Sequence, residues 1–202
     1  MSKFKVIIAD PPWTFDDSLG GSAGMQDRRP GRKRTVRGAS AKYETMPERE
    51  ISGIPVAHWC AADAVLALWT PAAMLFDGLS VMSNWGFRHT QIVVWVKRTI
   101  NGKMNFGMGN YFRGAAEFVL FGVRGAPPPP KSRSERNVFE APVLGHSVKP
   151  DCLHAALARM YPGGPFLELF ARRSVPCWTC VGLECEGPGA IKADLRTWSL
   201  AT

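Results

Sequence analysis

At 202 residues, 46% hydrophobic and 21% charged, the chain has the make-up of an ordinary globule with a real core, and positions 1–202 are expected to form one domain. No stretch approaches about 18 uncharged apolar residues and the first residues enter strand-like sequence at once, so no membrane span or secretory leader is expected and the cytoplasm is the default location. The net charge of +8 favours a polyanionic partner.

The first element is an apolar run, 4–9, that reads as a buried strand and stops hard at Asp10-Pro11-Pro12-Trp13. A carboxylate where a strand ends is in the usual position for chemistry in an open α/β sheet. The two prolines stiffen the turn, lack N–H groups, and are expected to leave the Pro11 carbonyl without a local donor. Trp13 adds a stacking plate. Two acceptors beside a flat ring suit a planar heterocycle with an exocyclic amine, which is the description of a nucleobase.

From about Phe15 to Lys42 the sequence is expected to be a loop, long enough to serve as a lid or binding element. It crowds Arg28, Arg29, Arg32, Lys33, Arg34 and Arg37 among glycines, a composition able to follow phosphates along a flexible strand. Further strands are predicted at 63–70, 90–96, 116–122, 165–170 and 177–182. Pro71 is expected to open a helix with Leu75, Leu79 and Met82 on its apolar stripe. Pro150 is expected to open another, with Leu153, Ala156, Leu157, Met160 and Tyr161 facing inward, closed by Pro162-Gly163-Gly164. The segments 101–110 and 126–144 read as loops. Strands alternating with helices predict an α/β fold, a mostly parallel central sheet covered on both faces.

The five cysteines read as free thiols, buried by preference. Cys177 and Cys180 have CxxC spacing, but no second pair completes a zinc site, so no metal is expected. Gly107-Met108-Gly109 is not a dinucleotide fingerprint. Lys149 stands just ahead of the helix start at Pro150, where it is placed to pair with a carboxylate. Glu168 ends a predicted strand, the usual place for a partner of ribose hydroxyls, with Arg172 close behind.

Asp10-Pro11-Pro12-Trp13 after a hydrophobic strand resembles the signature of amino-group DNA and RNA methyltransferases. Further segments extend the likeness to the MT-A70 family, in family order over nearly the whole chain: Tyr43-Glu44-Thr45-Met46, Leu68-Trp69-Thr70, Trp85-Gly86-Phe87, Trp95-Val96-Lys97, Glu117, and Phe121 through Gly125. His146-Ser147-Val148-Lys149-Pro150, Glu168-Leu169-Phe170-Ala171-Arg172 and Trp178 through Gly182 complete it. The resemblance implies a Rossmann-like methyltransferase sheet in permuted order, catalytic motif first and cofactor motif last. It implies transfer of methyl from S-adenosyl-L-methionine to adenine N6 in nucleic acid, DNA rather than RNA. RNA adenine-N6 transfer, cytosine-N4 transfer and a silent nucleic-acid-binding subunit stay open as alternatives.

The resemblance makes Asp10, Pro11, Pro12 and Trp13 the expected catalytic corner, with Asp10 and the Pro11 carbonyl receiving the two amine hydrogens and Trp13 stacking on the base. The expected cofactor contacts are Asp10, His146, Ser147, Lys149, Glu168, Phe170, Arg172, Gly182, Leu183 and Glu184, with Lys149 on the methionine carboxylate. Tyr43 and the six basic residues of the first loop are the expected nucleic-acid contacts. Two departures accompany the match. Many relatives carry Asn after Gly182, where this chain has Leu183-Glu184. Larger relatives hold the cofactor's adenine with a segment upstream of the catalytic strand, and the nine residues before Asp10 are not expected to supply one.

Overall fold

The computed structural model describes residues 3–14, 45–107, 111–145 and 148–199. The basic cluster, Tyr43, His146 and Ser147 lie outside the described residues.

The first strand, β1 (Phe4–Ala9), is central to everything that follows. Two short helices, α1 (Glu48–Ser52) and α2 (Val56–Trp59), lead to β2 (Cys60–Thr70). A 3₁₀ turn over Ala72–Met74 runs into α3 (Leu75–Asn84), followed by β3 (Arg88–Arg98) and β4 (Ala116–Arg124). Next come β5 (Val138–Pro142), α4 (Cys152–Met160), β6 (Phe166–Leu169), β7 (Trp178–Gly182) and the two-residue β8 (Ile191–Lys192).

The strands form one eight-stranded sheet in the order β5-β3-β4-β2-β1-β6-β7-β8. β1 pairs in parallel with both β2 and β6, so the chain leaves it to one side and later returns to the other. Such a reversal opens a crevice at the carboxyl ends of the strands. Among the described residues only β4 is antiparallel, bonded to β2 on one side and β3 on the other. The predicted α/β sheet with helices on both faces is therefore the fold observed.

Alternation explains the two cores. Ile7, Ala9, Leu66, Leu68, Leu167 and Leu169 point to the face covered by Ile51, Trp59, Val81 and Met82 of the first three helices. Val6, Ile8, Val65, Ala67, Trp69 and Val119 point to the other, where Leu153 and Leu157 of α4 close over them. Each fully buried aliphatic side chain contributes about 1.5–3 kcal/mol.

Several expectations need correction. The segment 126–144 is not all loop: Val138–Pro142 pairs in parallel with β3 as an edge strand. Its half-exposed residues, ending in proline, gave no alternation to read. Leu79 is exposed, because the inner face of α3 is carried by Gly78, Val81 and Met82 instead. Gly78 is there by necessity, since a Cβ would stand 2.6 Å from a Thr70 methyl. In α4, His154 rather than Ala156 joins Leu153 and Leu157 in the buried set, and Cys152 rather than Pro150 is the first helical residue, with Asp151 at the cap. Of the thiols, Cys60, Cys180 and Cys185 are buried, but Cys152 and Cys177 are exposed.

Candidate functional site

β1 delivers Asp10 to the carboxyl edge of the sheet beside the strand reversal, with its backbone N–H donating to the Leu169 carbonyl at 3.3 Å. The corner that follows is tightly tied. Trp13 N–H donates to the Pro11 carbonyl at 2.9 Å, Met46 N–H donates to the Pro12 carbonyl at 2.7 Å, and Thr14 N–H donates to the Met46 carbonyl at 3.1 Å. The Pro11 carbonyl thus does have a local donor, contrary to expectation. The missing proline N–H groups do not prevent the residue two further on from folding back onto it.

Trp13 also departs from its expected part. Its ring is 4% exposed and belongs to the core, and its indole N–H donates to the Trp69 carbonyl at 2.9 Å. A ring clamped at both its face and its nitrogen braces the corner and presents no open plate for a base.

Lys149 reaches the corner from the far end of the chain. Its Nζ lies 2.9 Å from Asp10 Oδ2 and 3.4 Å from Glu117 Oε2, and 5.5 Å from the centre of the Trp69 ring. Glu117 is held in turn by Lys97, 2.6 Å away, whose ammonium lies 5.5 Å from the Trp95 ring centre. Two carboxylates and two ammonium groups therefore alternate along one half-buried line. Glu117 and Lys97 were not legible as site residues. A strand's direction is not written in its alternation, and Glu117 reaches this edge because β4 is inverted, putting its first residues beside the last residues of its neighbours.

Burial is the largest influence on Asp10 and raises its carboxyl above the ordinary 3.8, with Lys149 opposing. Burial alone would also raise Glu117, but Lys149 and Lys97 together outweigh it and hold that carboxyl low. Burial would depress Lys149, yet Asp10 and Glu117 keep its ammonium above the usual value.

On the other side of β1 a cavity of about 110 Å³ opens, lined by Asp10, Pro12 and Met46, by Phe170 to Arg172, by Gly182 to Glu184, and by Ala193 to Arg196. Phe170, Arg172, Gly182, Leu183 and Glu184, each expected as a cofactor contact, come together here with Asp10. Phe170 sits at φ 60, an uncommon conformation for a bulky residue, which throws the chain sharply off the end of β6. Gly182 lies against this bend: a Cβ would collide with the Ala171 carbonyl oxygen and stand 2.8 Å from its nitrogen. Arg172 and Glu184 face each other at 3.6 Å across the rim. Met46 was missed although it ends the Tyr43–Met46 block, and residues 193–196 were missed, having no motif of their own.

Glu168 is not in the cavity. Its neighbours Leu167 and Leu169 face the helical layer of α1 to α3, so alternation turns Glu168 to the α4 face. There its Oε2 meets His154 Nε2 at 2.9 Å and the Cys180 thiol at 3.7 Å. A buried histidine has claimed the carboxylate that position alone had assigned to a ribose.

Comparison with known proteins identifies the family. A family model described as MT-A70 matches residues 4–184. The chain is 30% identical over 187 residues to the Type II methyltransferase M.MunI of Mycoplasma sp., covering 90% of this chain and 78% of that protein. It is 26% identical over 201 residues to the N(6)-adenosine-methyltransferase catalytic subunit METTL3 of Homo sapiens, covering 96% of this chain and 30% of that one. An MT-A70-like N(6)-adenosine-methyltransferase of Drosophila melanogaster is 25% identical over 203 residues, with 29% of its length matched. The chain thus spans most of the bacterial relative and under a third of the two animal ones.

Proposed function

The chain belongs to the MT-A70 family, and from that premise we propose that it transfers a methyl group from S-adenosyl-L-methionine to the N6 amine of adenine in nucleic acid, with DNA as the substrate. The observation that carries this reading is Asp10 standing between the Lys149 ammonium and the cavity, 2.9 Å from the one and lining the other. The N(6)-adenosine names of the animal relatives favour adenine as the acceptor. The 30% identity to the Type II methyltransferase M.MunI, with 78% of that protein matched, favours DNA.

The residues present fit the donor. Gly182 lets the end of β7 close against the Phe170–Ala171 bend, both lining the cavity, and Lys149 offers a cation for a carboxylate. S-adenosyl-L-methionine supplies a methyl made electrophilic by its cationic sulfur. The work of the chain is orientation and charge placement. Adenine N6 is a poor nucleophile because its lone pair is spread into the ring. Asp10 accepts one amine hydrogen, and the Pro11 carbonyl, with one of its two lone pairs left after Trp13, accepts the other. Held in this way, the lone pair is directed at the methyl rather than into the ring. The N6 proton becomes acidic as the new bond forms and leaves through Asp10 or water. Trp13 keeps the corner rigid from beneath.

Nucleic acid as the acceptor is also supported by the β3–β4 hairpin, which exposes Ile100, Phe106, Tyr111 and Phe112 with Lys103 on the same edge as Asp10. A duplex substrate requires the adenine to leave the stack.

The test is incubation with labelled S-adenosyl-L-methionine and, separately, duplex DNA, single-stranded DNA and RNA, followed by nucleoside analysis. N6-methyldeoxyadenosine is the expected product, and Asp10→Ala is expected to abolish it while the thermal transition is retained. Methylated cytosine, or label in RNA alone, overturns the acceptor assignment.

A further inference from the structure

The cavity beside Asp10 is built from the ends of four adjacent strands, and the last contribution comes from a segment that no motif marks. Across the sheet the order is β1, β6, β7, β8. These strands supply Asp10, then Phe170 to Arg172, then Gly182 to Glu184, then Ala193 to Arg196. Three inter-strand steps separate the first from the last, about 14 Å at the usual spacing of neighbouring strands. Lys149 approaches Asp10 together with Glu117 of β4, which lies on the β2 side of β1. A donor whose methyl lies at Asp10 and whose amino-acid end meets Lys149 has its remaining length directed along the cavity toward β8.

We propose that residues 193–196 are the seat for the nucleoside end of the methyl donor, with the Asp194 carboxylate accepting a hydrogen bond from one of the nucleoside's own donors and Leu195 forming part of the wall beside it. This rests on the methyl-transfer reading above.

The seat is preformed. Ala193 N–H donates to the Gly182 carbonyl at 3.2 Å, which ties the turn to the middle of the cavity. Thr197 and Trp198 N–H groups donate to the Asp194 carbonyl at 3.1 and 2.8 Å. Beyond them the Trp198 ring packs on Trp59, centroids 4.6 Å apart, and Leu195 is buried in the core. The carboxylate itself is aimed by Arg196, whose Nη2 lies 2.6 Å from Oδ2 and whose backbone N–H donates to Oδ1 at 2.9 Å. Arg196 also extends toward Glu50 of α1 at 3.8 Å. The hydrogen bond from Arg196 is the main reason that Asp194 stays ionised below the ordinary carboxylate range. Arg196 Nε also lies 3.0 Å from Oδ1 and 2.9 Å from Oδ2, so three N–H donors share about four lone-pair sites and capacity remains for one further hydrogen bond, from a ribose hydroxyl or a purine amine. Leu183, 54% exposed at the end of β7, adds apolar surface to the same cavity.

Calorimetry on the full chain tests the assignment with two fragments. S-adenosylhomocysteine carries both ends of the donor, and 5′-methylthioadenosine carries the nucleoside end alone. Asp194→Asn is expected to weaken both by about 10- to 100-fold, the range for a lost hydrogen bond to a charged group. Lys149→Met is expected to weaken S-adenosylhomocysteine and to leave 5′-methylthioadenosine unchanged. Repeating the titration with 5′-methylthioinosine separates the purine amine from the ribose diol: a retained effect of Asp194→Asn assigns the diol, and a vanished one the amine. Hydrogen exchange of the unaltered protein needs no variant to fold, and 5′-methylthioadenosine is expected to slow exchange at 193–197. Unaltered affinity in Asp194→Asn, or no protection there, overturns the seat while the transfer reading stands. If the unaltered protein binds neither fragment, the transfer reading falls and the seat with it.

Discussion

Asp10 is held by two opposed influences, burial that favours its proton and an ammonium 2.9 Å away that favours its loss. Burial prevails, so the folded chain binds this proton more tightly than the unfolded chain does. The stability that follows is full below the ordinary 3.8 and is lost as pH rises through the raised value. Glu117 has the opposite sign: its stabilisation is present above the ordinary 4.5 and disappears as pH falls through its lowered value. If the ionised form of Asp10 receives the amine, Lys149→Met removes the opposition and raises that carboxyl further. The acid limb of the kcat/KM profile should then shift to higher pH, together with a higher KM for the donor. An unmoved limb would separate that limb from Asp10. The corner was legible in the sequence because proline and a terminal carboxylate constrain the chain locally. Trp13 was misread because whether a ring faces a cavity or the core depends on Trp69, fifty-six positions away.

The cavity depends on two bends touching at the level of whole elements. The turn after β6, with Phe170 at φ 60, lies against the end of β7 at Gly182, and a Cβ there meets main-chain atoms that have no rotamer by which to yield. Gly182→Val is expected to push the two strand ends apart. It should lower stability by about 1–3 kcal/mol, as overpacking does, and weaken S-adenosylhomocysteine more than tenfold by calorimetry. Retained affinity would show that the contact of the two bends does not shape the cavity. Elements with a strong period were legible: β1 was read at its observed bounds, and β2, β3 and β4 were read short by a few residues. Those without a period were not. β5 ends in proline at an edge, and β8 is two residues long. Glu168 shows how position misleads, since a strand's last residues lie at the right edge but alternate between its faces.

The whole molecule carries an excess of eight positive charges, and six of its basic residues crowd positions 28–37, outside the described residues. Neutralising Arg32, Lys33 and Arg34 is expected to weaken binding to DNA and to reduce the slope of log K against log salt by about 2 to 3, one contact per residue. An unchanged slope would remove that segment from the substrate surface. The order of strands was not legible, because pairing across a sheet leaves no local mark, and family likeness implied only the order of the motifs. The resulting plan divides labour about β1, with β6, β7 and β8 on one side forming the cavity and β2, β4 and β3 on the other bringing Glu117 and Lys97. Because β4 runs backward, the hairpin joining it to β3 returns to the reactive edge. Descendants of this architecture are thus free to lengthen or rewrite that single connection, and so retarget the acceptor, while inheriting the donor half unaltered.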